Sequence, residues 1–119
     1  MGDHTTITSD QVGDVHILRI TVPDLSDRDI VRMLEQQICD YVRSRKPTKL
    51  VLDFAEVRFL TSDMLSVLLR VRDLAHAKRG AIRLTSLSPI VREIFRITRL
   101  DRIFPITDAA DAAVAAFAG

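Results

Sequence analysis

The chain has no tryptophan, one cysteine, four glycines and four prolines, and only 5% of its 119 residues are aromatic. The lone Cys39 excludes an internal disulfide and a multi-cysteine metal site, and it suits a reducing compartment. With so few glycines there is no glycine-rich phosphate loop. Charge of one sign is also missing: 17 Lys and Arg against 16 Asp and Glu leave a formal +1, so nothing draws the chain toward nucleic acid or anionic lipid. No apolar run approaches the roughly 18 residues of a membrane span. The opening MGDHTTITSDQ has neither a basic n-region nor an apolar h-region, so no secretory signal is visible and a cytoplasmic domain is expected.

What is present is aliphatic. Hydrophobic residues make up 47% of the chain, enough for a sizeable core in one domain spanning 1–119. TTIT and VHILRITV read as a hairpin with strands near 5–9 and 15–22, joined by a turn-like SDQVGD and stopped by Pro23. Ser26-Asp27-Arg28-Asp29 resembles a capping box, with Leu25 and Ile30 placed for a hydrophobic staple. Ile30, Leu34, Ile38, Tyr41 and Val42 then follow helical spacing to an end near Arg43. KLVLDF is a buried central strand over 49–54. A second helix runs from about Ser62 to Ala77, with Gly80 suited to a left-handed closing position. AIRLTSL is a strand near 81–86, and Ser88-Pro89 starts a third helix whose face carries Ile90, Val91, Ile94, Phe95 and Thr98. RIFPIT is a short strand that Pro105 places at the sheet edge, and the Ala-rich end is a helix capped by Asp108. The order β-β-α-β-α-β-α-β-α predicts an α/β fold: a single-layer mixed, mostly parallel sheet with crossover helices.

In the second helix Met64, Val67, Leu68, Val71 and Ala75 form one stripe, and Ser66, Arg70 and Asp73 lie opposite. Leu65 and Leu69 are displaced from the stripe. They either widen the core face or belong, with Asp63, to an exposed docking surface for another protein. Other chemistry is thin. His4, His16 and His76 lie far apart without ligand spacing, so no metal or cofactor is expected. Asp53 and Glu56 are close enough in sequence for acid–base work, but no His or Lys orients them. Cys39 reads as a packing residue. Arg92, Arg96 and Arg99 share a helical face that, with Arg102, reads as solvated and partly paired with Glu93 and Asp101.

LVLDFAEVRFLTSDML resembles the STAS domain, named for sulfate transporters and anti-sigma factor antagonists. In that family a strand ending Leu-Asp-(Leu/Phe) leads through a short loop to Phe-(Ile/Met/Leu)-Asp-Ser-(Ser/Thr)-Gly-Leu. Leu52-Asp53-Phe54, Phe59-Leu60 and Leu65 match it, and IRLTSLSPIVREIFRITRLDRIFPI continues the likeness. Thr61 stands where the family has Asp, Ser62 keeps the first hydroxyl, Asp63 replaces the second, and Met64 replaces Gly. The resemblance implies a non-enzymatic antagonist of an anti-sigma factor. Its partner would be a serine kinase that phosphorylates Ser62, with Thr61 as alternate acceptor, and a phosphatase is a further partner to consider. The resemblance also leaves room for a scaffold or adaptor of a signalling or transport assembly that uses no phosphorylation. No nucleic acid or membrane partner is implied, and oligomeric state is open. Asp63 would act as a permanent partial mimic of the phosphoryl charge.

The physics of the spot suits a switch. A helix start presents unpaired N–H groups and a positive dipole end, so a phosphate of roughly −1.5 to −2 charges is tolerated there. A partner packed over the same surface would have to bury that charge, at a cost of several kcal/mol. Ser, Thr and Asp are also the ordinary residues of helix caps, which needs no switch at all.

Overall fold

A computed structural model describes residues 5–118. Five strands form the main sheet in the order β1-β2-β4-β6-β7. The first two, β1 (Ile7–Val12) and β2 (Val15–Ile20), are an antiparallel hairpin, and the remaining neighbours are parallel. The mixed, mostly parallel α/β sheet expected from the alternating pattern is therefore present.

The hairpin differs from expectation in its register. β1 lies two to three residues later than the sequence suggested and includes Ser9, Asp10 and Gln11, read above as a turn. These residues are exposed because β1 is an edge strand, so polarity there does not oppose a strand. The turn is the tight Gly13-Asp14 pair, with Gly13 at φ +62°, and it sets Val12 opposite Val15.

Two short strands had no sequence signal. β3 (Asp24–Leu25) and β5 (Phe59–Leu60) pair in parallel as a separate two-stranded sheet. The carbonyl of Pro23 accepts the N–H groups of Arg58 at 2.7 Å and Phe59 at 3.2 Å beside them. β3 also displaces the first helix start: α1 spans Arg28–Arg45 and its cap is Asp27, not Ser26. Asp27 Oδ1 accepts from the N–H groups of Asp29 (2.8 Å) and Ile30 (3.2 Å), while the Ser26 N–H donates to Asp24 Oδ1. The helix also runs two residues past Arg43. It closes at Lys46, left-handed at φ 49°, because the residue before Pro47 is barred from the helical region.

β4 (Lys49–Asp53) is central, with Leu50, Val51 and Leu52 fully buried. α2 (Ser62–Ala77) buries Met64, Val67, Leu68, Val71 and Ala75, the stripe read from its periodicity. At its end Arg79, not Gly80, takes the left-handed conformation, at φ 63°. Gly80 is needed for space instead: a Cβ there would stand 2.6 Å from the Pro47 carbonyl oxygen. β6 (Ala81–Thr85) leads to α3 (Pro89–Ile97), where Ser88 Oγ accepts from the Val91 N–H at 3.3 Å. A single 3-10 turn over 100–102 precedes the edge strand β7 (Ile106–Thr107) and then α4 (Ala110–Ala118). Asp108, expected to cap α4, holds the Arg92 guanidinium at 2.9 Å.

The first three helices and one sheet face enclose the main core, which includes Phe54, Phe95 and Phe104 stacked edge to face. The other face carries α4, seated through Ala113 on Val15 and Val51 with Ile17, Val114 and Phe117 around it. No helix among the described residues is long and apolar enough to cross a membrane.

Two substitutions test these local causes by urea unfolding. Asp27→Ala costs about 1 kcal/mol through the lost cap, whereas Ser26→Ala stays within about 0.5 kcal/mol. Gly80→Ala destabilises by about 1–3 kcal/mol, because its methyl meets rigid backbone; no loss would show that Pro47 yields freely.

Candidate functional site

The β3–β5 ribbon leads the chain into α1 on one side and α2 on the other, so the two helix starts lie close together. Their meeting is marked by an ion pair between Arg28 Nε, in the first turn of α1, and Asp63 Oδ2, in the first turn of α2, at 3.3 Å. Thr61 is the residue before α2, extended at φ −114° and ψ 178°, and its side chain makes no capping bond. Its carbonyl accepts from Met64 and Leu65, as a helix start requires. No side chain thus closes off the amino-terminal tip of α2. Ser62 is the first helical residue and is exposed, Asp63 is exposed beside it, and Thr61 is half-buried.

Between α1 and α2 runs a groove of about 320 Å³, lined by Arg28, Arg32, Glu35, Asp63, Ser66 and Arg70 among others. Arg70, on the water-facing side of α2, reaches across with a two-pronged contact to Glu35, at 2.6 and 3.0 Å. Those donated hydrogen bonds hold the Glu35 carboxyl below its ordinary value and raise the Arg70 guanidinium. The two ion pairs tie the helices together along the groove, beside Ser62.

Burial decides between the two readings of Leu65 and Leu69. Leu65 is only 9% exposed and joins the main core, and Leu69 is half-buried against it. The wide core face is thus where the structure seats both. The exposed large apolar side chain nearest Ser62 in sequence is Phe59, at 45% and three residues before it. Ile90, placed above on one face of α3 with Val91 and Phe95, is an outward residue, and Ile97 joins it. Only Val91 and Phe95 of α3 are buried, with Ile94 between the two faces. The missed signal is the seven-residue repeat of isoleucine, which returns to one side of a helix after about two turns.

The remaining candidates do not assemble. Asp53 is 2% exposed; its Oδ1 accepts from the Ala55 N–H at 2.9 Å and its Oδ2 from Arg19 Nε at 3.3 Å, while Glu56 is exposed. Asp53 therefore fastens the end of β4, and no carboxylate pair forms with Glu56. His16 lies 2.6 Å from the Tyr41 hydroxyl, His76 is exposed at the far end of α2, and His4 lies outside the described residues. Among the described residues no three His, Cys, Asp or Glu gather where a metal could sit. Cys39 is buried, and that burial pushes its thiol upward, away from the reactive thiolate. Arg92 pairs with Asp108 and Arg96 with Glu93. Arg99 does not share their face: it lies past the helix at φ 62°.

Comparison with known proteins agrees with this architecture. BtrV of Bordetella bronchiseptica, named for anti-sigma factor antagonism, is 36% identical over 69 residues, which is 58% of this chain and 60% of BtrV, so the match spans less than two thirds of the relative. The crystal structure of an anti-sigma factor antagonist from Mycobacterium paratuberculosis superposes with a TM-score of 0.82 at 26% identity, covering 93% of this chain and 92% of that one. The Bacillus cell fate determinant SpoIIAA, in its phosphorylated form, superposes with a TM-score of 0.69 at 18% identity, covering 95% and 99%. The family described as "Mlab, STAS domain" matches residues 15–107, from the start of β2 to the end of β7. With that stretch taking in the parallel sheet and all three helices of the main core, the chain belongs to the STAS domain family.

Proposed function

We propose that this protein is an anti-sigma factor antagonist that binds a kinase-type anti-sigma factor and is released when Ser62 is phosphorylated. The single observation carrying the reading is the exposed Ser62 hydroxyl on a helix start that no side chain caps. Family membership, the names of the relatives and the phosphorylated form of SpoIIAA support it. The chain is the substrate of the phosphoryl transfer, not its catalyst, and works in the cytoplasm. Hydrolysis by a phosphatase would return it to the binding form.

The mechanism is electrostatic. The phosphoryl group on Ser62 meets the open N–H groups and dipole of α2, so the fold accepts it. Asp63 next to it is a repulsive neighbour, and Arg28 at 3.3 Å offsets that repulsion. A partner covering Ser62 has no such compensation and must bury the new charge. A loss of only about 1.4 kcal/mol already weakens binding tenfold. Thr61 is the alternate acceptor, less accessible because half-buried. Asp63 belongs to the partner footprint in this reading by its charge, while Leu65 and Leu69, seated in the core, support the helix surface from beneath.

Asp63 also favours a second reading. A fixed carboxylate at the neighbouring motif position already supplies part of the phosphoryl charge, so the protein could serve as an adaptor subunit whose binding never switches.

The decisive experiment incubates the protein with the kinase-type anti-sigma factor of the same genome and Mg-ATP, and maps the peptide from Phe59 to Arg70 by mass spectrometry. Modification at Ser62, lost in Ser62→Ala and retained in Thr61→Val, with at least tenfold weaker binding of the modified protein, is expected. An unmodified peptide together with undiminished binding establishes the adaptor instead. Arg28→Ala should leave the unmodified protein within about 1 kcal/mol of wild type, since the ion pair is exposed. The same change should lower the melting temperature of the phosphorylated protein more than that of the unmodified one.

A further inference from the structure

The first strand turns one row of its backbone groups away from the sheet. The tight Gly13-Asp14 turn makes Val12 and Val15 a hydrogen-bonded pair, so Val12, Asp10 and Thr8 direct their N–H and C=O groups at β2. The Thr21 N–H, donated to the Thr6 carbonyl at 2.9 Å, keeps the same alternation beyond the strand. Ile7, Ser9 and Gln11 therefore point their groups outward along the sheet edge. Asp10 Oδ1 accepts from the Gln11 N–H at 2.8 Å, while among the described residues the outward groups of Ile7 and Ser9 have no partner. Edges of this length are ordinarily blunted by lysine, proline or a bulge. ITSDQV contains neither residue, and its unbroken register with β2 leaves no bulge. The opposite edge, β7, is only two residues long and follows Pro105.

Phase and charge choose the occupant. When two copies of a strand pair antiparallel about a two-fold axis, outward residues must oppose outward residues, so the axis passes through a single residue. Centred on Ser9, residues 7–11 lie along 11–7 of the second copy; centred on Asp10, residues 8–12 lie along 12–8 and two carboxylates collide. Every other centre overlaps less of the strand. The Ser9 centre sets Asp10, the one charged residue of β1, opposite Thr8 of the second copy, and Thr8 is backed on β2 by Arg19. Of the other charges in the crevice on this face, Asp53 is paired with Arg19, and Asp111 belongs to α4, which is seated on Val15 and Val51. Asp14 at the turn holds Lys49 at 2.9 Å. We propose that two copies of this chain associate through their β1 edges, antiparallel about Ser9, joining two five-stranded sheets into one. Each Ser9 N–H donates to the Ser9 carbonyl of the other copy, and each Ile7 N–H to its Gln11 carbonyl. Asp10, turning to the Thr8 hydroxyl across the seam, frees the Gln11 N–H to donate to Ile7 and complete the ladder. A seam of one strand against one is a small interface, so the association is weak and concentration-dependent.

The test is analytical ultracentrifugation of the full chain from about 10 μM to about 1 mM, with amide NMR spectra over the same range. A monomer–dimer equilibrium is expected, with concentration-dependent shifts at the Ile7, Ser9 and Gln11 amides. Ser9→Pro removes an outward N–H and no bond to β2, so it should abolish the dimer while circular dichroism stays unchanged. Thr8→Asp faces Asp10 across the seam with a like charge, twice over by symmetry, and should weaken the dimer about tenfold. Thr8→Lys offers Asp10 a cation and should tighten it. Thr8 is exposed, so these two variants decide the matter even where the proline change disturbs the fold. A chain that stays monomeric throughout, a dimer indifferent to Thr8→Asp, no gain from Thr8→Lys, or shifts confined to other faces overturns the proposal.

Discussion

The carbonyl of Pro23 accepts two backbone N–H groups, from Arg58 and Phe59, and the placement of the site follows from that junction. It aligns β3 with β5, buries Leu25 and Leu60 beneath them, and brings two segments separated by 35 residues to the same corner. α1 and α2 both leave from this corner, so their positive ends stand together. Two adjacent dipole ends repel weakly, and the placement of Asp27 at one and Asp63 at the other answers that repulsion with negative charge. Arg28 then links the two ends by pairing with Asp63.

Because this corner is set by backbone bonds and buried leucines, the hydroxyls at its tip are free of structural duty. Thr61 gives no side-chain capping bond, Ser62 faces water, and removing either hydroxyl would leave the core intact. A regulatory charge can be added only where it breaks nothing inside. Asp53 is the contrast: it is also a family-motif position, but buried, bonded to Ala55 and Arg19, and committed to holding the end of the central strand.

The helices and central strands were legible because each carries a strong period. The stripe of α2 and the apolar run of β4 name their own buried faces. Elements without a period escaped notice: β3 and β5 are two residues each, too short for alternation to register. β1 was misplaced because an edge strand with both faces wet has the composition of a turn. The cap moved from Ser26 to Asp27 because β3 consumed Asp24 and Leu25, a contact made by residues 35 positions away. In the site, Ser62 and Asp63 could be named from the motif and from helix-start chemistry, whereas the apolar ground beside them could not. A helix wheel shows which residues align but not which side faces the sheet when apolar residues cover more than half of it. Ile90 turned outward for that reason.

By itself the sequence determined the α/β order, the central buried strand, the stripe of α2, the hydroxyl at its start and the likeness to the STAS family, all of which depend on local spacing and residue type. Only the tertiary structure decided that the starts of α1 and α2 meet, that Arg28 reaches Asp63, that Gly80 is required for a close approach and not for its dihedral, and that α3 keeps a second apolar face in water. Local preference acts within a few residues, and these four outcomes depend on which distant surfaces the packed sheet brings together.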